Sequence, residues 1–239
     1  MRWRVRARIR EAFPDTTANF ARALLALSAE YSEAALDCLE DSKDNILDAL
    51  GYGHPNIENA LYSNDNRVIL FREDSLPIDK FAIYEIPIPQ TFQTTKGRRQ
   101  IRVSLAYDPP VRHTRFDYAG IEMSFELVRG ASEAEVFDHF RKWEKDEGEP
   151  FKVAGSKRCK MTPGSQKREK GSLQCATFRA MTNLEQYGNT YFLAVRCEGG
   201  WAAAQQASQN FAVFVELRHE GAIEIYQRIQ ERVRIRATA

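Results

Sequence analysis

The sequence predicts an α+β chain in which a short helical segment, residues 1–65, is followed by a mainly antiparallel β-sandwich or jelly-roll-like domain, residues 66–239, carrying two helices. Three observations lead there. An early apolar run repeats at helical spacing, a glycine-rich elbow follows it, and from Asn66 onward the hydrophobic period changes from three-to-four to two.

The first ten residues, MRWRVRARIR, alternate arginine with Trp3, Val5, Ala7 and Ile9. Period two suggests a strand with one apolar face, and a helix end frayed into solvent is equally compatible. The run also suits a basic arm for nucleic acid or an anionic surface, but short basic runs are weak signals, and an unusual start to a truncated gene accounts for it better. Arginines interrupt any apolar core that a secretory signal would need. Asp15, Thr16 and Thr17 then offer side-chain oxygens to cap a helix start. Phe20, Ala23, Leu24, Leu27 and Tyr31 recur on one face, and Leu25 and the alanines make this helix apolar nearly all round, the mark of deep burial. Gly51 and Gly53 flank Tyr52 and read as a sharp turn packed closely on a neighbour, while Pro55 suits the first turn of a short helix over Ile57 to Tyr62.

The turn formers Ser63, Asn64, Asp65 and Asn66 mark the break between the two parts. Strands are expected at Arg67 to Phe71, Phe81 to Ile86, Gln100 to Tyr107, Ile121 to Val128, Leu173 to Met181, Tyr191 to Cys197 and Phe211 to Leu217. Pro87 and Pro89 end the second of these. One helix follows Ser132, with Glu133 and Glu135 in its first turn and Val136, Phe137, Phe140 and Trp143 as its apolar stripe. A second is expected at Ala222 to Val233 on the spacing of Ile225, Ile229 and Val233, with Tyr226 beside them.

Composition narrows the function classes. With 34 basic and 33 acidic residues the formal net charge is +1, which provides no global attraction to nucleic acid or to a membrane. No apolar run approaches the roughly 20 residues that span a bilayer. Cys38, Cys159, Cys175 and Cys197 lack CxxC spacing and read as free thiols in a reducing cytoplasm, with Cys175 and Cys197 buried in strands. His54, His113, His139 and His219 show no metal-ligand spacing; His54 reads as structural and His139 as a partly buried polar edge. The carboxylates Asp37, Glu40, Asp41 and Asp44 read as a solvated face. No phosphate-cradling or dinucleotide fingerprint is present, and neither a cofactor nor a metal is expected.

Two loops stand out. Asp108-Pro109-Pro110-Val111-Arg112-His113-Thr114-Arg115 is a rigid loop in which Asp108 can accept from Arg112 or Arg115. It reads either as a docking surface for a partner or as an interstrand loop stapled by its own ion pair. The segment Ser156 to Gly171, SKRCKMTPGSQKREKG, is strongly basic and can meet phosphates by charge alone, but has no aromatic residue to stack bases. A solvated hairpin excursion describes it better.

PDTTANFARALLALSAE (residues 14–30) resembles the buried helix that follows the serine helix in subtilisin-like serine peptidases. GYGHPNIENAL resembles the glycine turn and last helix of that catalytic domain. LAYDPPVRHTRFDYAGIEMSFELVRG and NFAVFVELRHEGAIEIYQRIQERVRIR look like the tail of a bacterial branch associated with AAA-type ATPases. The resemblance implies that residues 1–65 are the helical C-terminal remnant of a subtilase α/β domain. It makes Gly51, Gly53, Pro55, Asp108, Pro109, Pro110, Arg112 and Arg115 structural or docking positions. The chain contains no Gly-Thr-Ser, His-Gly or Asp-Ser/Thr-Gly motif, so the triad positions are expected upstream of Met1 and this chain is expected to be inactive alone. The implied partners are an upstream peptidase fragment or an AAA-type ATPase. The alternative is a free-standing, non-catalytic binding module. Without a parent sheet, Leu24, Leu25 and Leu27 must repack on the β domain, remain mobile or drive aggregation.

Overall fold

The computed structural model describes residues 2–39, 46–63, 66–144, 157–180 and 190–221, and the side chains of these apart from residues 2–6 and 142–144. The expectations for Met1, Glu40, Asp41, Asp44, Asn64, Asp65, Ser156, Met181 and the helix at residues 222–233 fall outside the described residues. So do those for the side chains of Trp3, Val5 and Trp143.

The chain begins with helix α1 (Arg2–Ala12), the helical alternative for the basic run, and Ile9 on it is fully buried. Helix α2 (Ala18–Ser28) starts where the sequence places a cap. The Thr17 hydroxyl accepts from the Phe20 N–H at 3.2 Å, and the Glu73 carboxylate accepts from both the Thr17 N–H and its hydroxyl. Two-residue strands β1 (Ala29–Glu30) and β2 (His54–Pro55) pair antiparallel around helices α3 (Glu33–Cys38) and α4 (Ile46–Leu50), and α5 (Ile57–Leu61) follows. Pro55 therefore differs from its expected place. It pairs with Ala29 in the bridge, and Asn56 is the residue that caps α5, because its amide oxygen accepts from the Asn59 N–H. Gly51 and Gly53 both have positive φ, 59° and 96°. A Cβ on Gly53 would stand 2.5 Å from the Glu30 carbonyl oxygen, so the elbow closes on β1 only with glycine there.

Among the described residues seven long strands follow: β3 (Arg67–Pro77), β4 (Phe81–Ile86), β5 (Arg99–Tyr107), β6 (Ile121–Arg129), β7 (Leu173–Ala180), β8 (Tyr191–Gly199) and β9 (Ser208–His219). They form two antiparallel sheets with strand orders β3-β9-β5-β7 and β4-β8-β6. Successive strands alternate between the sheets, the winding of a jelly roll. Ile101, Val103, Leu105 and Tyr107 of one sheet face Met123, Phe125, Leu127 and Leu193 of the other in one buried core.

Both outer faces are covered, which alternation alone did not predict. On the four-stranded sheet the outward residues include the small or apolar Ala106, Ala212 and Phe214. Phe20, Ala23, Leu24 and Leu27 of α2 settle on them, with Ile9 of α1 and Ala60 of α5 alongside. Polar groups on that face are paired. The Ser104 hydroxyl donates to the Ala23 carbonyl at 2.8 Å and Arg102 donates to the Ala29 carbonyl at 2.7 Å. The early helices thus repack on this chain's own sheet, the first of the three outcomes expected for its leucines. Each fully buried large side chain contributes on the order of 1.5–3 kcal/mol.

On the three-stranded sheet, α7 (Glu133–Glu144) lays Val136 and Phe140 over Val128, Phe192 and Ala194. Ser132 and Glu135 begin it reciprocally. The Ser132 N–H donates to Glu135 at 2.9 Å and the Glu135 N–H to the Ser132 hydroxyl at 3.2 Å. Helix α6 (Gln90–Thr94) lies between β4 and β5, and the carbonyls of Gln93 and of the residue after the helix, Thr95, accept from the buried Arg99.

The outer edge of β6 has an unusual finish. Residues 157–159 pair with it only briefly: the Cys159 N–H donates to the Leu127 carbonyl and the Arg129 N–H to the Lys157 carbonyl. Further along, side chains take over. Arg168 donates to the Phe125 carbonyl and Gln174 to the Met123 carbonyl, each at 2.6 Å. The Tyr107 phenol also hydrogen-bonds the Met123 backbone. The basic segment is accordingly not a solvated excursion over its described length. It contains the short helix α8 (Ser165–Arg168), and Cys159, Met161 and Arg168 are buried.

Candidate docking loop and basic cavity

Residues 108–120 leave β5 and return to β6 as a loop with its own scaffold. Val111 bridges Ala119, the Arg112 N–H donates to the Tyr118 carbonyl at 3.0 Å, and the Gly120 N–H donates to the Pro110 carbonyl at 2.8 Å. Trp201, in the turn after β8, is the platform. Its indole N–H donates to the Asp117 carbonyl at 2.9 Å. The Arg112 guanidinium lies 4.2 Å from the Trp201 ring centroid, and that of Arg115 lies 5.9 Å away. Gly120 permits this approach, since a Cβ there would stand 2.6 Å from that of Ala202.

The loop's charge pairing differs from expectation. Arg115 meets Asp117 at 4.0 Å, whereas the expected partner, Asp108, instead uses its carbonyl to accept from the buried Gln209 at 3.2 Å. The indole face competes for Arg112, and the loop's curvature turns Arg115 toward the carboxylate two residues on. Pro109 and Pro110 are half-buried at the loop's root. At its tip Phe116 is fully exposed, and Tyr118 and Val111 are about half-exposed. The His113 ring lies 5.7 Å from that of Tyr118. The loop residues Asp108, Pro109, Pro110, Arg112 and Arg115 thus share one structure with Phe116, Tyr118 and Trp201, which the sequence reading did not single out. Gly51, Gly53 and Pro55 belong to a separate elbow against β1.

A cavity of about 380 Å³ lies along the edge of β6 between that strand, the 158–161 segment and α8. Its wall carries Arg158, Lys160 and Arg168 against one carboxylate, Glu126, with Leu127 and Met161 among the apolar lining. Glu126 is 9% exposed and its Oε1 meets Arg158 at 2.6 Å and Arg196 at 3.7 Å. Its Oε2 is buried without a hydrogen-bond partner, and so is Nε of Arg168, a residue 4% exposed. Arg168 pairs with Glu169 at 3.2 Å. Burial lowers the Arg168 pKa from its ordinary value and raises that of Glu169, since both charges are partly withdrawn from water.

Of the remaining histidines and strand cysteines, His54 is exposed, whereas His139, His219, Cys159, Cys175 and Cys197 are buried or half-buried. His219 is fully buried. Its Nδ1 accepts from the Gly221 N–H at 2.9 Å, and its Nε2 lies 3.3 Å from the Thr95 carbonyl. His54 lies in β2 and His139 is half-buried on α7. Burial pushes the Cys159 and Cys197 thiols up to about 12 and also raises that of Cys175, which Arg102 approaches at 3.3 Å. Among the described residues no group of three His, Cys, Asp or Glu side chains is placed to hold a metal ion, and no helix is long and apolar enough to cross a membrane.

No family model matches the chain. The chain is 46% identical over 223 residues to the uncharacterized protein y4bN of Sinorhizobium fredii (strain NBRC 101917 / NGR234), a match covering 93% of this chain and 52% of that protein. The chain therefore spans about half the length of this curated relative. Among solved structures, the crystal structure of the STIV MCP is similar at 12% identity and a TM-score of 0.24, over 67% of this chain and 51% of that one.

Proposed function

We propose that this chain is the non-catalytic, partner-docking portion of a subtilisin-like serine endopeptidase, and that the loop at residues 108–120 makes the contact. The observation that carries the reading is the loop itself. A fully exposed phenylalanine on a cross-braced scaffold, flanked by arginines and a half-exposed tyrosine, is the chemistry of an interface anchor. The kinship with subtilases rests on the ordered set of buried helix, GYG elbow, DPPVRHTR loop and C-terminal stretch. The length of the rhizobial relative, about twice the matched region, is consistent with a longer polypeptide in which such a portion has a catalytic neighbour. The AAA-type ATPase remains the second partner that the resemblance suggests.

One observation favours a second reading, a self-sufficient binding module. Helix α2 finds its apolar partner in this chain's own sheet, so a second subtilase sheet is not required to cover it. Capture separates the two. With the chain as bait, a peptidase segment from the longer polypeptide should bind and then label with a fluorophosphonate, while the chain alone should remain unlabelled. Phe116→Asp should weaken that capture about tenfold or more, as expected for an aromatic anchor, with no change in melting temperature. Labelling of a serine within this chain, or capture indifferent to Phe116→Asp, would overturn the proposal. Failure to capture the peptidase segment alongside Phe116-dependent capture of other proteins would favour the module.

A further inference from the structure

We infer that the cavity along the edge of β6 is a binding site for the C-terminal carboxylate of a peptide. Three features of its wall define the ligand. The lining is cationic by count, with Arg158, Lys160 and Arg168 against Glu126, while Glu169 meets Arg168 from outside the lining, and guanidinium forks match carboxylates in shape as well as charge. The single carboxylate is specific in what it lacks. Glu126 uses Oε1 for Arg158 and Arg196, while its buried Oε2 has no donor. A ligand that completes the site brings an acid for the cations and, close to it, an N–H for Oε2. The last residue of a peptide carries both, an α-carboxylate and an amide N–H one carbon away. Leu127 and Met161 offer an apolar wall to its side chain.

Size and access agree with this class. About 380 Å³ lies within the range of small-ligand sites and far exceeds a bare inorganic anion. The Arg158 side chain is 42% exposed, so one wall of the site reaches the surface and the remainder of a peptide can extend outward. Arg168, held by the Phe125 carbonyl and stacked 4.5 Å from the Phe125 ring, is a fixed guanidinium that needs no ordering on binding. The inference stands apart from the docking role of residues 108–120, because the two sites share no residue.

The test is a calorimetric and NMR titration of the whole chain at low salt with N-acetyl-leucine, and with a short unstructured peptide in free-acid and C-terminally amidated forms. The free acids should saturate, and the amidated peptide should bind at least about tenfold more weakly, the effect expected when a charge-assisted contact is lost. Arg158→Gln should weaken the free acid about tenfold, and Lys160→Gln by a smaller factor. Both residues are surface-accessible, so the fold is expected to survive, and an unchanged melting temperature checks this. Removing the N–H from the probe, with 4-methylpentanoate in place of N-acetyl-leucine, should lose affinity in the parent but not in Glu126→Gln. Equal binding of acid and amide, no saturation through the millimolar range, or an Arg158→Gln variant that binds like the parent would each overturn the inference.

Discussion

Single side chains decide how firmly the pieces are joined. Thr17 caps α2 and also reaches Glu73 on β3, so one residue both starts the helix and ties it to the sheet. Thr17→Ala should cost about 1 kcal/mol, read as a shift in the denaturant midpoint. Leu24 is 1% exposed between α2 and the sheet, and Leu24→Ala should cost about 2–5 kcal/mol because the sheet beneath cannot collapse into the space. The cysteines separate by environment. Cys38 is exposed, whereas burial holds the thiols of Cys159, Cys175 and Cys197 in their neutral form. At about pH 8 a thiol reagent should modify one cysteine of the native chain rapidly and the other three only on unfolding. Rapid modification of Cys175 would show that α2 leaves the sheet readily.

At the scale of elements, α7 illustrates how a local signal carries a pH dependence. The Ser132 N–H, and after it Lys157, hold the Glu135 carboxyl below its ordinary value. Because the folded pKa is the lower one, the contribution is present above the unfolded carboxylate pKa and disappears as pH falls through the folded value. Glu135→Gln should therefore melt below the parent at neutral pH, and the two melting curves should converge on acidification. A gap that persists at about pH 2 would mean that the residue acts through packing. The Ser132-to-Glu135 cap and the apolar stripe of Val136 and Phe140 were legible because they are local. So were the strands from β3 to β9 and the tight elbow at Gly51 and Gly53. Pro55 and Asp108 were misread for the complementary reason. Each has an appropriate local partner in sequence, but Ala29 claims Pro55 and the indole of Trp201 claims Arg112. Trp201 is 89 residues from Arg112, and no periodicity carries that information.

At the scale of the molecule, the described residues are layered as helix, sheet, sheet, helix, with one core between the sheets and a smaller core under each helical cover. In β5, Ile101, Val103, Leu105 and Tyr107 alternate with Arg102 and Ser104, the pattern of a half-buried strand with one face open. The helix covers that face instead, and the small Ser104 and Ala106 are the trace it leaves in the sequence. The loop at residues 108–120 was legible as a rigid, cation-bearing segment, but its exposed aromatic was not singled out. The cavity was hidden altogether, because its walls come from a strand and a basic segment whose charge suggested solvent. The edge of β6 shapes the chain's behaviour toward other copies of itself. Where a neighbouring strand would have run, Arg168 and Gln174 occupy the carbonyls of Phe125 and Met123, so a stranger's backbone finds those acceptors already taken. Guarding the edge with side chains leaves it one mutation from being open. Gln174→Ala should free the Met123 carbonyl for pairing between copies, seen as concentration-dependent growth in light scattering and suppressed by a lysine placed at the exposed Glu122 of the same strand.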